Sequence, residues 1–182
     1  MEERIKPPSE DELRSEYDFS RMRIVARGIG RKAPQANLDR EGKMVMGEVR
    51  VKVALTNAGD EVMVRRGLLA ADKIRNYEAD ALVDTGAVKS ALPIHVVQSL
   101  GLATVGKTRA RFANDAAEDV DVTEMVGITL LGRRTTEETL VLGSEVLIGQ
   151  TVLESLDLLV DCVSQRVIPN PANPDQPVIK IK

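Results

Sequence analysis

Asp84 closes an apolar run in Ala81-Leu82-Val83-Asp84-Thr85-Gly86-Ala87, and it is the residue of this sequence best placed to do chemistry. An acid delivered by a strand into a tight turn is fixed by backbone amides, and a glycine there lets the backbone approach closely. Peptide hydrolysis by carboxylates needs two of them sharing one proton, one activating water and one protonating the carbonyl. Like charges that close cannot both ionise, so one pKa rises into a useful range. The chain holds a single Asp-Thr-Gly, so if Asp84 works in this way the second carboxylate must come from a second copy across a two-fold axis. On these residues alone the plainer alternative, that Asp84 merely opens a turn, stays open.

Other chemistry-bearing residues offer less. His95 has no serine or acid at a diagnostic spacing and reads as a surface or half-buried structural histidine. Cys162 lies in the apolar run Leu158–Val163 and reads as a buried small hydrophobe. The acids Asp115, Glu118, Asp119, Asp121 and Glu124 lack the glycine and spacing of a calcium loop and read as a solvated hairpin face. Gly28-Ile29-Gly30 lacks the third glycine and the preceding strand of a dinucleotide motif. No metal site and no cofactor are expected.

The elements that must position Asp84 follow from patterning. Val49, Val51, Val53 and Leu55 alternate with Glu48, Arg50 and Lys52, which predicts a half-buried strand over 46–55. Asn57–Asp60 reads as a turn and Glu61–Arg65 as a returning strand. Ala79–Val83 is the strand that enters the Asp84 turn. Pro93 to Leu100 predicts a helix with Ile94, Val97 and Leu100 on one face and Gly101 as its stop. Strands follow at Thr108–Ala113, Val120–Leu131, Glu138–Leu142 and Val146–Ile148. Thr151 and Glu154 have capping-box spacing, predicting a short helix to about Leu156. Leu158–Cys162 and Gln165–Ile168 read as a closing hairpin, and Val178–Ile181 as a terminal strand. The class is mostly β.

Residues 1–45 differ. They form a charge-rich leader, partly helical or disordered, with a capping box at Ser9–Glu12 that predicts a helix over 10–16. Arg21, Arg23, Arg27, Arg31 and Lys32 make it locally basic, which reads as a solvated linker in preference to a segment that touches nucleic acid or an acidic partner. Over all 182 residues, 25 basic and 28 acidic side chains give a net charge of −3, which argues against nucleic-acid or membrane-surface binding as the main role. Aromatics are 2%, so base-stacking platforms are not expected and the core must be aliphatic. A lone cysteine excludes an internal disulfide, and the N-terminus lacks the apolar region of a secretory signal, so a reducing cytoplasm is the expected location.

Taken together, Asp84-Thr85-Gly86-Ala87 and the later Val146-Leu147-Ile148-Gly149, followed by a short helix, resemble the retropepsin-like aspartic peptidases, the single-domain homodimeric relatives of retroviral proteases. The segment from Gly149 to Asp161, ending at Ile168-Pro169-Asn170-Pro171, is similar to bacterial members of the clan AA aspartic proteases. The resemblance covers residues 46–171 and implies a mostly β, retropepsin-like acid-protease barrel protomer with one or two short helices and a flap hairpin. It implies a homodimer acting on peptide or protein substrates, with Asp84 as the catalytic aspartate. Thr85, Gly86 and Ala87 would form the turn and brace the dimer, and Leu147, Ile148 and Gly149 would be the supporting structural motif. Arg111, Phe112, Ala113, Asn114 and Asp115 would form the flap over substrate. Residues 172–182 would be a tail able to add a strand at the dimer interface.

Two departures qualify what the family implies. Retroviral members carry acidic residues after Asp-Thr-Gly-Ala and an arginine after the apolar-apolar-glycine, forming ion pairs. This chain has Val88-Lys89-Ser90 and Gln150, so the dimer is either supported differently or weak. Ala87 offers no hydroxyl to the ionised dyad, which predicts activity at mildly rather than strongly acidic pH. The leader segment Glu12–Ser20 resembles the opening of small bacterial antitoxin-like proteins, and family analogy also permits a self-cleaved propeptide. The rival reading of 46–171 is the same fold as a non-catalytic dimeric binding or scaffold module.

Overall fold

Alternation along β1 (Val49–Asn57) buries Val49, Val51, Val53 and Leu55 and leaves Arg50 and Lys52 in solvent. The structure is a computed structural model that describes residues 47–112 and 115–179. The expected helix at 10–16, Gly28 and Gly30, the basic stretch 21–32, Ala113, Asn114 and residues 180–182 lie outside it. β1 pairs antiparallel with β2 (Asn76–Val83), Val49 opposite Val83, and also with the far end of β5 (Ala117–Leu130), Val53 opposite Leu130. The remaining strands are β3 (Ala91–Leu92), β4 (Thr104–Arg111), β6 (Arg133–Val141) and β7 (Leu147–Ile148). Their order, β1-β2-β7-β3-β6-β5 and back to β1, closes a six-stranded barrel that leaves only β4 outside the ring. Closure removes free edges from the ring, and β4 keeps one. This is the mostly β barrel and projecting hairpin that the sequence leads one to expect.

The interior is aliphatic. Leu55, Leu92, Leu100, Ile128, Leu130 and Ile148 are fully buried, each worth about 1.5–3 kcal/mol relative to exposure. Three short helices pack on the barrel: α1 (Ala58–Arg65), α2 (Ile94–Ser99) and α3 (Gln150–Ser155). A hairpin of β8 (Leu158–Asp161) and β9 (Arg166–Pro169) follows, as expected.

Four expectations are corrected. Residues 58–65 are helix, not a turn and a strand. Asn57 Oδ1 accepts the N–H groups of Gly59 (2.8 Å) and Asp60 (3.2 Å), so what reads as a turn is an N-cap, and Asp60 and Glu61 sit favourably in the first turn. The cap outweighs the strand preference of Val62-Met63-Val64. In α2 the buried face is Val96, Val97 and Leu100, while Ile94 is 58% exposed, because the first turn stands at the rim of the barrel. Cys162 is exposed: β8 ends at Asp161, whose carboxylate accepts Val163 and Ser164 N–H and turns the chain outward. Finally, Val178 and Ile179 form no strand. The Val178 N–H donates instead to Asp157 (3.2 Å).

That tail is fastened by a buried cation. Arg133, 7% exposed, donates to the carbonyls of Leu156 (2.7 Å), Asp157 (2.8 Å), Asn173 (2.6 Å) and Pro174 (3.1 Å). The Asp157 carboxylate accepts Asn170 and Asn173 side-chain N–H groups, which hold it below the usual carboxylate range.

A second cluster fixes α1 against the chain before β2. Asp60 accepts three bonds from Arg75, from the backbone N–H (3.0 Å), Nε (2.7 Å) and Nη2 (2.7 Å), and Arg75 Nη1 reaches the Gly101 carbonyl (3.0 Å). The Arg75 guanidinium holds the Asp60 carboxyl below its ordinary value. Burial pushes Glu61 up, but hydrogen bonds from Arg134 and Thr56 outweigh it and leave this carboxyl depressed too. A depressed folded value means stability that is complete above the unfolded value of about 4 and is lost as pH falls through the folded one. The urea midpoint is therefore expected to drop below about pH 4. Asp60→Asn is expected to cost about 1–2 kcal/mol at neutral pH, the lower part of the range for charged hydrogen bonds because Arg75 is half in solvent, and to flatten the acid slope. An acid slope identical to wild type in Asp60→Asn would show that this cluster does not set it.

Candidate functional site

Asp84 follows the last residue of β2 directly. β2 runs parallel to β7 here, with Leu82 opposite Leu147 and Val83 opposite Ile148, and Asp84 N–H donates to the Ile148 carbonyl (3.0 Å). The two motifs of the sequence thus lie side by side. Asp84 Oδ1 accepts Gly86 N–H at 2.8 Å, and Ala87 N–H returns to the Asp84 carbonyl at 3.2 Å. This side-chain-to-backbone turn fixes the carboxylate while leaving it exposed. A Cβ on Gly86 would stand 3.2 Å from Asp84 Oδ1, so the glycine serves close approach.

Across the turn the stitching continues. Gln150 N–H donates to the Ala87 carbonyl (2.8 Å) and Thr151 N–H to Val88 (3.1 Å). Gly149 passes so near that a Cβ there would lie 2.5 Å from Lys89 C and 2.7 Å from its oxygen. α3 therefore begins at Gln150 after a glycine, not at a Thr151–Glu154 capping box. Thr151 Oγ1 turns to the Val88 carbonyl (2.9 Å) and Glu137 (2.6 Å), and Glu154 accepts Gln150 Nε2 (2.6 Å).

Asp84 opens into a cavity of about 500 Å³ and is the only carboxylate among the described residues that line it. Its apolar wall is Ala91, Leu140, Leu142 and Leu147, and β4 with Phe112 forms its roof. Along β4, Thr108 lies opposite the buried Val120, while Lys107 and Arg109 pair with Asp121 and Asp119 at 3.6 Å across the hairpin, and Arg109 also lines the cavity. Two of the five acids that read as a solvated hairpin face, Asp119 and Asp121, thus meet cations across the hairpin. Its tip is drawn together by Phe112 N–H to the Ala116 carbonyl (2.8 Å) and Asp115 N–H to Phe112 (2.9 Å), with Asp115 at φ +62°. Of the expected flap residues, Arg111 and Phe112 line the cavity. Asp115 lies at the exposed tip.

Thr85 looks the other way. It borders a shallow depression with Leu153, Leu158, Leu159 and Cys162, beside a 46% exposed Leu159. His95 stands apart on α2, exposed, with its ring edge-on to Tyr77 at 6.3 Å.

Sequence reading missed Glu137. This β6 side chain accepts Ser90 N–H (3.1 Å) and Thr151 Oγ1 (2.6 Å), next to the Asp84 turn. No spacing rule marks it.

No helix among the described residues is long and apolar enough to cross a membrane. No family model matches the chain, and no curated protein does. Among solved structures it is similar to the retroviral protease-like domain of Ddi1 from Leishmania major, at 14% identity and TM-score 0.40, covering 64% of this chain and 82% of that chain. It is similar to EIAV protease complexed with an inhibitor at 19% identity and TM-score 0.39, covering 60% and 88%. A third similarity, to the foamy viral protease-reverse transcriptase in complex with an RNA/DNA hybrid, has 14% identity and TM-score 0.37 and covers 59% of this chain and 12% of that chain.

Proposed function

We propose that the barrel is one protomer of a homodimeric aspartic endopeptidase. The observation that carries this reading is Asp84: an exposed carboxylate, held by its own turn, and the one carboxylate among the described residues lining a cavity that joins an apolar wall to Lys89, Arg109 and Arg111 under a β-hairpin. One such carboxylate cannot both take a proton from water and give one to a carbonyl. Two related by a two-fold axis can, with a single proton shared between them. Water held between them attacks the scissile carbonyl directly, and the proton passes on to the departing amine.

The other residues take roles consistent with their places. Thr85, exposed beside Asp84, braces the twin turns across the axis, and the apolar depression next to it joins the interface. Gly86 and Ala87 shape the turn, and Leu147, Ile148 and Gly149 support it from below. The hairpin from Arg111 to Asp115 closes over an extended peptide, excluding water. The free edge of β4 supplies strand-like backbone bonds, and the wall of Leu140, Leu142 and Leu147 receives apolar side chains. The tail 172–182 lies near the interface, and the leader 1–45 serves as linker, propeptide or partner-binding segment. The protein works in the cytoplasm.

Incubating the full chain with a diverse peptide mixture over about pH 4–8, a range that brackets a shared-proton titration, tests this reading. Mass spectrometry is expected to show internal cuts, fastest at mildly acidic pH. Peptides bound but left intact by a folded dimer would assign the barrel to a binding or scaffold role instead.

A further inference from the structure

We propose that Glu137 is a positioning residue for the Asp84 turn, its carboxylate bridging Ser90 and Thr151 and so tying the end of the turn to α3. The catalytic consequence rests on the peptidase reading; the structural one rests on geometry alone.

The turn from Asp84 to Ser90 is held at its start by the Asp84–Ile148 backbone bond and near its middle by Gln150 N–H on Ala87. Its end is held by a backbone bond, Leu140 N–H to the Ser90 carbonyl (3.0 Å), and by side chains. Ser90 is fully buried, and its N–H donates to Glu137 Oε1 at 3.1 Å. Its hydroxyl accepts Gly149 N–H at 3.1 Å. On the other side Glu137 Oε2 meets Thr151 Oγ1 at 2.6 Å, and that hydroxyl also lies 2.9 Å from the Val88 carbonyl. One carboxylate on β6 therefore ties the end of the turn to the first turn of α3. Lys89, between them in sequence, pairs with Glu138 at 3.6 Å. Without Glu137 a buried amide loses its acceptor, and the turn loses one of its ties to α3 and gains local motion at that end. Catalysis is sensitive to such motion, since small misplacements of an oriented group lower the rate more than they lower binding.

The bridge needs hydrogen bonding, not charge. In Glu137→Gln the amide oxygen still accepts Ser90 N–H, and the amide N–H donates to Thr151 Oγ1, leaving the threonine proton for the Val88 carbonyl. Glu137→Ala offers neither.

The test compares full-length wild type, Glu137→Ala, Glu137→Gln and Thr151→Val by amide hydrogen exchange and by peptide cleavage. In Glu137→Ala the Ser90, Gln150 and Thr151 amides are expected to exchange about tenfold faster or more, with β1 and β2 unchanged. In cleavage kcat is expected to fall about 10–100-fold with KM within about twofold. Glu137→Gln is expected to stay within about threefold of wild type in both. Wild-type exchange at those amides in Glu137→Ala, or a Glu137→Gln protein as impaired as the alanine variant, overturns the bridge. If wild type cleaves nothing, the peptidase reading fails while exchange still decides the bridge. If Glu137→Ala does not fold, Thr151→Val, which removes the Thr151 leg together with the hydroxyl's contact to the Val88 carbonyl, is read at the Ser90 amide, which bonds Glu137 alone: faster exchange there supports the proposal, and unchanged exchange sinks it.

Discussion

Asp84→Asn is expected to abolish peptide cleavage, by about 10³-fold or more given that positioned acid–base groups contribute about 10²–10⁴. The asparagine amide cannot take a proton from water. It retains an oxygen able to accept Gly86 N–H, the bond of 2.8 Å that shapes the turn, so stability is expected to stay within about 0.5 kcal/mol of wild type. Mixing gives a sharper readout than the single variant. If wild-type chain at fixed concentration is equilibrated with an equal amount of Asp84→Asn chain, random pairing leaves about one quarter of the dimers with two carboxylates, and the rate is expected to halve. A monomeric enzyme would show no change on mixing. Undiminished cleavage by the variant alone would end the aspartic-peptidase reading.

Gly149→Ala is expected to have the largest effect on the fold of any single added methyl group near the site. A Cβ there would meet Lys89 C at 2.5 Å, Lys89 O at 2.7 Å and Ser90 N at 2.9 Å, all backbone atoms that cannot rotate away. Its φ of −87° is ordinary, so the cost comes from close approach and not from backbone strain. Relief requires prising the Asp84 turn from α3, which breaks the Gln150–Ala87 and Thr151–Val88 bonds and exposes Ser90. Overpacking of this kind costs about 3 kcal/mol or more, enough to lower the melting temperature by about 10 °C and to remove activity. Gly106→Ala is the control: nothing lies within 4 Å of the new carbon, and near-wild-type stability is expected. A melting temperature for Gly149→Ala equal to that control would show that the turn and α3 are not tightly interlocked.

The barrel and the place of Asp84 were legible in the chain because both depend on periodic or contiguous patterns. Val49, Val51, Val53 and Leu55 alternate because one face of β1 is buried, and any sequence forming such a strand must alternate so. Asp84-Thr85-Gly86 and Leu147-Ile148-Gly149 could be read as partners because each is a short contiguous motif at the end of an apolar strand. Residues that serve a distant contact left no such trace. The helix at 58–65 turned on what Asn57 caps, and Asn57 is fixed from 43 positions away by its bond to the Leu100 carbonyl. Ile94 and Cys162 were misplaced because a short helix or strand end does not itself say where the barrel rim runs. Glu137 was invisible for the same reason. It meets Ser90 across 47 positions and Thr151 across 14, and a backbone N–H that can donate to any nearby oxygen imposes no residue pattern on its own segment. Local sequence determined most of the barrel strands and which carboxylate stands at a strand end. Only the closed barrel decided which side chains hold that carboxylate in place, because hydrogen bonds between distant segments acquire their partners through closure.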